Sequence, residues 1–223
     1  MARQRFRRKD LKRPDEFVSR GRQVLDWATE NSRVLSWITA GVVTLVLLVM
    51  GFVSIRNARV RQANEDLSHA LGDFRDGRYT QAANQLADVA SRWQSTSAGR
   101  IAGLYAANAD LKADNFETAA VLLQDVLSAH DWPSYLRQQA LADLGYVLEH
   151  KGDAAGAAQR YAEAVALDGP YTAQALLGEA RCYEQMGEKD KARRLYERLQ
   201  RDFGQAAEGE VAAAKLEQLG PAP

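Results

Sequence analysis

The sequence predicts an all-α protein in which a single transmembrane helix precedes a solenoid of about four helix pairs closed by a C-terminal capping helix. Three observations predict this class. Residues 34–55 carry no charge, four later segments share one pattern of small and large residues, and the five prolines fall outside the predicted long helices of the body. The body is also rich in alanine, leucine, glutamine, glutamate and arginine, which favour helices.

Residues 1–33 form a basic tail with ten Lys or Arg against five Asp or Glu. The cluster near its start could contact anionic lipid or nucleic acid, but we expect it mainly to determine topology and expect no nucleic-acid partner. After Pro14 and an acidic pair, apolar residues recur at Phe17, Val24, Leu25 and Ala28. This spacing predicts a short amphipathic helix at the membrane interface.

The run VLSWITAGVVTLVLLVMGFVSI, residues 34–55, contains no charged side chain. At about 1.5 Å per residue it reaches roughly 33 Å, enough to cross a hydrocarbon core of about 30 Å. A cleavable signal peptide would have an apolar region of about 7–15 residues and a small-residue cleavage site. Because Arg56 follows a longer run here, the segment is predicted to be an uncleaved transmembrane anchor.

The orientation of this anchor follows from the basic residues on its two sides. The tail holds ten Lys or Arg, whereas residues 56–75 hold four. The positive-inside rule therefore predicts a cytoplasmic tail and a body outside the cytoplasm.

Residues 56–220 contain a repeat aligned on four alanines at spacings of 37, 38 and 35 residues. Each alanine follows a tight turn, and a large residue lies four positions after it. The pairs are Ala82 and Leu86, Ala119 and Leu123, Ala157 and Tyr161, and Ala192 and Tyr196. A stretch of helical periodicity precedes each segment, so the unit is a helix, a short turn and a second helix. The last stretch, AAEGEVAAAKLEQL, is predicted to cap the open end of the stack.

The segment HKGDAAGAAQRYAEAV, residues 150–165, is rich in small residues and poor in reactive ones. Helices that cross closely need small residues where their backbones meet. We therefore predict that Gly145 on the first helix of the third unit meets Ala157 on the second. In the first two units, the apolar face of the first helix matches the pattern of the later units only after a shift of about one residue. Five residues are then expected in the core rather than in an exposed groove: Leu67, Leu71, Phe74, Leu104 and Leu111.

These units resemble the tetratricopeptide repeat family, whose pattern is W-x₂-L-G-x₂-Y, A-x₃-F and P. The third unit matches through LADLGYVL, AAQRY and Pro170, and the fourth through Ala180, Tyr183 and ARRLY. The resemblance covers residues 60–205 and implies a tetratricopeptide-like α-solenoid whose first helices line a concave side. The groove positions of the family then imply that four residues bind a partner: Tyr146, Glu149, Arg181 and Glu184.

The whole architecture also resembles the ancillary Sec-translocon subunit family of bacterial inner membranes. The basic tail, the segment FVSRGRQVLDWATEN, the single span and the four repeats carry this resemblance. It implies periplasmic repeats, membrane lipid around the anchor, and partners among the translocon, a membrane-anchored chaperone and client polypeptides.

Chemistry-bearing motifs are missing from the sequence. The three histidines are far apart, so no metal-ligand spacing exists, and neither a phosphate-binding loop nor a nucleophile elbow is present. The one cysteine, Cys182, is predicted to be a buried, inert thiol. We therefore expect no enzyme activity, no catalytic residue, no metal and no cofactor.

Two functions remain open for the anchored repeats, and a third, nucleic-acid binding by the basic cluster, would require an accessible cytoplasmic tail. The first is an anchored interaction scaffold that binds other envelope proteins in translocation or folding. The second is an accessory structural subunit, in which the span packs into a larger membrane complex and the repeats form a peripheral cover. Small residues in the span, Ala40 and Gly41, would allow such close packing.

Overall fold

The computed structural model describes residues 27, 29–128 and 132–220. Within these ranges the regular structure is entirely helical, which confirms the predicted all-α class. The helices with defined bounds are α1 (Ser32–Arg75), α2 (Tyr79–Arg92), α3 (Ser97–Lys112), α4 (Phe116–Ser128), α5 (Ser134–His150), α6 (Ala154–Ala166), α7 (Thr172–Gln185), α8 (Lys189–Phe203) and α9 (Ala207–Leu219).

The chain divides into two compact units, Met1–Ala58 and Arg59–Pro223, and the boundary falls inside α1. The predicted amphipathic helix of the tail lies outside the described residues. The predicted limits of the tail, span and repeat domain stay predictions.

The first part of α1 is an apolar helix whose side chains are exposed. Its most apolar window has a mean hydropathy of 2.5 and no buried residue, and Trp37 is 80% exposed. The hydroxyls of Ser36, Thr39 and Thr44 each donate to the carbonyl four residues earlier at 2.8 Å, so these polar groups are satisfied within the helix. By length and composition, α1 is the one helix of the described ranges that could cross a membrane.

The second unit is a stack of helix pairs. The end of α1 packs with α2 in one apolar cluster, and three further pairs follow: α3 with α4, α5 with α6, and α7 with α8. Each helix from α2 onward packs against the next one, and α9 packs on α8 and α7 as the predicted cap. The first helices α3, α5 and α7 also contact one another in succession, so their side chains share one face of the stack.

One turn joins the two helices of each pair, and the four turns are equivalent, which confirms the repeat register. The turn residue has a positive φ in every pair: 77° at Gly77, 59° at Asp114, 80° at Gly152 and 76° at Gly187. After each turn residue, the next backbone N–H donates to a carbonyl five residues earlier at 2.8–2.9 Å. This bond closes a helix C-terminus with a left-handed residue, which explains why three of the four positions are glycine.

Four apolar clusters form the core, and each contains residues of one pair and of the helix that follows it. Leu67 and Leu104 are buried in the first two clusters, and Leu71, Phe74 and Leu111 are half-buried against them. The prediction that this apolar set belongs to the core is therefore confirmed. Cys182 is buried in the third cluster, and burial raises the pKa of its thiol to about 12, so it is protonated at neutral pH.

Tyr161 of α6 fills the space between two first helices. Gly145 of α5 and Gly178 of α7 both lie against its ring, and a Cβ added at Gly145 would stand 2.9 Å from two ring carbons. The small residue at Gly145 thus accommodates an aromatic ring. Its nearest neighbour is Tyr161 rather than Ala157, the neighbour predicted from the sequence.

The segment 150–165 is a packing surface, as predicted, because Ala157, Ala158 and Ala164 are buried. The glycine at position 156 is explained by the helix cap rather than by packing. Its backbone N–H donates to the Asp153 carboxylate at 2.9 Å, which caps α6, and an added Cβ would collide with that carboxylate.

Candidate partner-binding surface

The four predicted binding residues all lie on first helices. Tyr146 and Glu149 are on α5, and Arg181 and Glu184 are on α7. Because α5 and α7 contact each other, residues from the two helices can meet across the boundary between the third and fourth repeats. The structure brings two of them, Glu149 and Arg181, into direct contact.

Glu149 and Arg181 form a two-point ion pair with bonds of 3.0 and 2.9 Å. The Tyr161 hydroxyl donates to the same carboxylate at 3.1 Å, and Gln185 donates at 3.2 Å. The side chain of Glu149 is only 9% exposed. Burial alone would raise its pKa, but the hydrogen bonds from Arg181 and Tyr161 and the charge of Arg181 outweigh burial, and the pKa is lowered. We call Glu149, Tyr161 and Arg181 the first triad.

An equivalent arrangement lies one repeat further along. Glu184 accepts a hydrogen bond from the Tyr196 hydroxyl at 2.9 Å and another from the Lys215 ammonium at 3.0 Å. Lys215 belongs to α9, so this second triad joins the fourth repeat to the cap. The two glutamates occupy equivalent positions of their repeats, as do the two tyrosines.

Three of the four predicted binding residues therefore hold repeats together. Their role in partner binding stays a prediction, and it is separate from this structural role. A substitution such as Arg181→Glu would set a second carboxylate beside the buried Glu149 and would change stability as well as binding. It is thus unsuitable as a test of binding alone.

Breaking the first triad is expected to destabilise the repeats. The change Arg181→Met keeps much of the side-chain volume but removes both bonds to a nearly buried carboxylate. Hydrogen bonds to charged groups contribute about 1.5–3 kcal/mol, so we expect the free energy of unfolding to fall by about 2 kcal/mol. Urea unfolding of the full-length chain in mild detergent measures it.

The matched control for that experiment is Arg160→Met. Arg160 pairs with Glu163 at 2.8 Å on one helix, and both side chains are more than a third exposed. Exposed pairs of this kind contribute at most about 1 kcal/mol. Equal losses of stability in the two variants would contradict the structural role of the first triad.

Tyr146, the fourth predicted residue, is 37% exposed, and no hydrogen bond joins its side chain to either triad among the described residues. Its ring lies 4.1 Å from the His150 ring and 6.3 Å from the Phe116 ring, centroid to centroid. It lines a pocket of about 360 Å³ that reaches from α3 across α5 to the start of α7. We call it the Asp143 pocket, and its polar and aromatic lining consists of Asn108, Lys112, Gln139, Asp143, Tyr146, Tyr171 and Gln174.

Asp143 is the unusual member of this lining, because its side chain is almost hidden. It is 9% exposed, and its Oδ2 atom is buried without a hydrogen-bond partner in the part of the chain that the structure describes. Burial raises the pKa of the carboxyl to about 7, while the Asn108 amide and the charge of Lys112 lower it to a smaller extent.

Of the polar and aromatic lining residues, Tyr146 alone was predicted from the sequence to bind a partner. A usable signal was the repeat itself, because Gln139 and Gln174 occupy the same position relative to the aligned alanines Ala157 and Ala192. No grouping of His, Cys, Asp and Glu that could hold a metal ion occurs among the described residues. The chemistry of this surface is hydrogen bonding, ion pairing and aromatic contact, which suits the binding of a polypeptide.

Comparisons with known proteins address the fold. The tetratricopeptide repeat-like domain profile matches residues 26–221. A tetratricopeptide repeat protein from Parabacteroides merdae is 13% identical, with a TM-score of 0.59 over 71% of this chain and 60% of that chain. TPR-like repeats from Podosopora anserina are 16% identical, with a TM-score of 0.58 over 71% of this chain and 85% of that chain.

A third similar structure, that of MamA, is 18% identical, with a TM-score of 0.56 over 68% of this chain and 81% of that chain. No curated protein matches the chain in sequence. At these identities the structural likeness concerns the fold alone.

Proposed function

We propose, from the premise that this chain belongs to the tetratricopeptide repeat-like domain family, that it is a membrane-anchored scaffold for other proteins. Repeats of this kind are generally non-enzymatic surfaces for protein–protein interaction. In this proposal the chain works on the extracytoplasmic face of a bacterial inner membrane. There it holds polypeptides during translocation or envelope protein folding.

The observation that carries the anchoring is the exposed apolar part of α1. It presents an uncharged surface along residues 34–55, and burial of large apolar side chains in lipid rather than water is strongly favourable. The family match begins at residue 26 and so includes this segment as well as the repeats. Membrane lipid is therefore the proposed surrounding of residues 34–55.

The orientation follows from the distribution of charge. Ten basic residues precede the apolar segment, and four lie within residues 56–75 just after it. We propose a cytoplasmic N-terminus and periplasmic repeats, as the resemblance to the ancillary Sec-translocon subunit family also implies. The proposed partners are the translocon, a membrane-anchored chaperone or a client polypeptide.

A second candidate is a structural subunit of a larger membrane complex. Gly41 and Gly51 favour it, because a side chain added at either would meet no described atom within 4 Å. Such open small residues on an apolar helix allow another helix to approach closely. In that case the span would carry the main interaction and the repeats would form its cover.

Protease treatment of spheroplasts tests the proposed function first. Because the repeats are proposed to face the periplasm, added protease is expected to degrade residues 56–223 while the membrane is intact. Immunoblotting against the C-terminus measures the loss, and a cytoplasmic protein that stays whole is the control for lysis. Survival of the body until the membrane is broken would reverse the orientation and remove the translocation role.

Co-purification in mild detergent then distinguishes the two candidates. Recovery of many client proteins in sub-stoichiometric amounts is expected for a scaffold. A fixed ratio to the subunits of one complex would instead support the structural subunit.

A further inference from the structure

The Asp143 pocket contains a polar group that the repeats leave unsatisfied. Asp143 lies in the middle of α5, nine-tenths hidden, and its Oδ2 atom accepts no hydrogen bond from any residue in the described ranges. A buried polar atom without a partner costs free energy, and a buried carboxylate costs more. The stability of the fold thus provides no reason for an aspartate here, whereas a ligand would.

The rest of the lining indicates what kind of ligand fits. The amides of Gln139 and Gln174 and the aromatic rings of Tyr146 and Tyr171 also line the pocket. The Gln139 carbonyl is already bonded to the Tyr171 hydroxyl at 2.9 Å, which holds one wall of the pocket in place. Acceptor oxygens, a carboxylate and ring faces together favour a group that is cationic and rich in N–H donors.

The groups facing Asp143 include one protein cation, Lys112 of α3. It is exposed at the edge of the pocket, and its charge lowers the pKa of Asp143, but no ion pair joins the two side chains in the part of the chain described. The remaining titratable neighbours are tyrosines, Tyr171 before α7 and Tyr146 on α5 itself. The Asn108 amide satisfies part of the carboxylate, and the rest is left for a cation from outside, against which Lys112 acts as a competitor.

We propose that the Asp143 pocket receives the cationic head of a lysine or arginine side chain from a bound, extended polypeptide. This deepens the proposed function, on which it rests, by naming the chemistry of the bound segment. The ammonium or guanidinium group donates to the Asp143 carboxylate, and amide oxygens of the lining accept its remaining hydrogens. An acidic side chain would be repelled, and an apolar one would leave Oδ2 unsatisfied.

Short synthetic peptides built from serine and alanine provide the test. They carry lysine, norleucine or glutamate at the centre and a neutral fluorophore at one end. Fluorescence anisotropy measures their binding to the full-length chain in mild detergent at pH 8, where Asp143 is ionised. We expect the lysine peptide to bind about tenfold more tightly than the norleucine peptide, which is the contribution of a single charge-assisted hydrogen bond.

Three variants identify the source of this preference. Asp143→Asn, which keeps the shape of the side chain, is expected to reduce the ratio to about one. Lys112→Met removes the competing cation and is expected to strengthen lysine-peptide binding severalfold. The matched control is Asp110→Asn, because Asp110 is also a buried carboxylate but is bonded to Asn115 at 3.1 Å and lies outside the pocket lining. It is expected to keep the preference.

Each other outcome overturns the inference. Equal binding of the lysine and norleucine peptides by the native chain would contradict the pocket proposal but not the proposed protein-binding function. A preference that survives Asp143→Asn places the cation elsewhere. If none of the peptides binds to a chain that circular dichroism shows to be folded, both the pocket and the proposed binding by the repeats are wrong.

Discussion

Gly145→Leu is expected to destabilise the repeats by about 3 kcal/mol, the upper end of the usual range for an overpacked core. The reason is the ring of Tyr161, which is 2.9 Å from the place where even a Cβ atom would stand. The ring cannot move away, because Gly178 of the next repeat lies against it and its hydroxyl is bonded to Glu149. Urea unfolding of the full-length chain in detergent measures the loss.

A double-mutant cycle checks that the clash with Tyr161 is the cause. Tyr161→Ala alone should cost about 3–5 kcal/mol, since it empties a fully buried aromatic site. In the double variant the leucine occupies part of the space of the ring, so the combined loss should be clearly smaller than the sum of the two. Additive losses would mean that the two residues do not share a contact.

Gly72→Leu is the control for this pair. Gly72 also lies within a helix, but a side chain added there meets no described atom within 4 Å. Removing a helical glycine without a clash should leave stability unchanged or raise it by up to about 1 kcal/mol. A large loss at Gly72 would show that leucine is tolerated poorly at any glycine of these helices.

Stability should also fall as the pH rises through neutrality, and Asp143 should be the main cause. Its pKa is raised from an ordinary value of 3.8 to about 7. Between these values the folded chain holds a proton that the unfolded chain has lost, so the free energy of unfolding decreases as the pH rises. From pH 5 to pH 8 this amounts to about 2–3 kcal/mol.

Asp143→Asn should abolish this part of the pH dependence. Urea unfolding at pH 5 and pH 8 compares the variant with the native chain. The two chains share all their other titrating groups, so a difference between them reports Asp143. The variant should gain stability relative to the native chain, and the gain should be larger at pH 8. Parallel pH profiles would mean that Asp143 ionises as an exposed carboxyl does, because water reaches its side chain.

The repeat architecture could be predicted from the sequence because its determinants are local. A turn residue, an alanine five positions later and a large residue four positions after that recur in every unit. Backbone geometry and burial follow directly from such a pattern, even in the second repeat, where Asp114 replaces glycine at the turn. The first two units also have the core that their shifted apolar face indicates.

The side-chain partners could not be predicted, because they depend on contacts between repeats. Glu149 and Arg181 are 32 positions apart on separate helices. The pattern of each helix alone predicts an exposed charge suited to binding. Asp143 lies among the leucines and alanines of α5, and only the packing of α3 against α5 shows that it is hidden. A helix pattern specifies which face is buried but not how deep a residue at its margin will lie.

The two triads also restrict how the repeats can be ordered. Eight residues before the aligned alanine, the third and fourth units carry Glu149 and Glu184, whereas the first two carry Phe74 and Leu111. A unit with a glutamate and a tyrosine must be followed by a helix that supplies a cation, as α7 does with Arg181 and α9 with Lys215. If the second and third units were exchanged, Asn108 of α3 would stand where α7 supplies Arg181. The polar half of this array is therefore not modular, and any designed extension must insert its new units before the third repeat or carry the matching lysine or arginine forward.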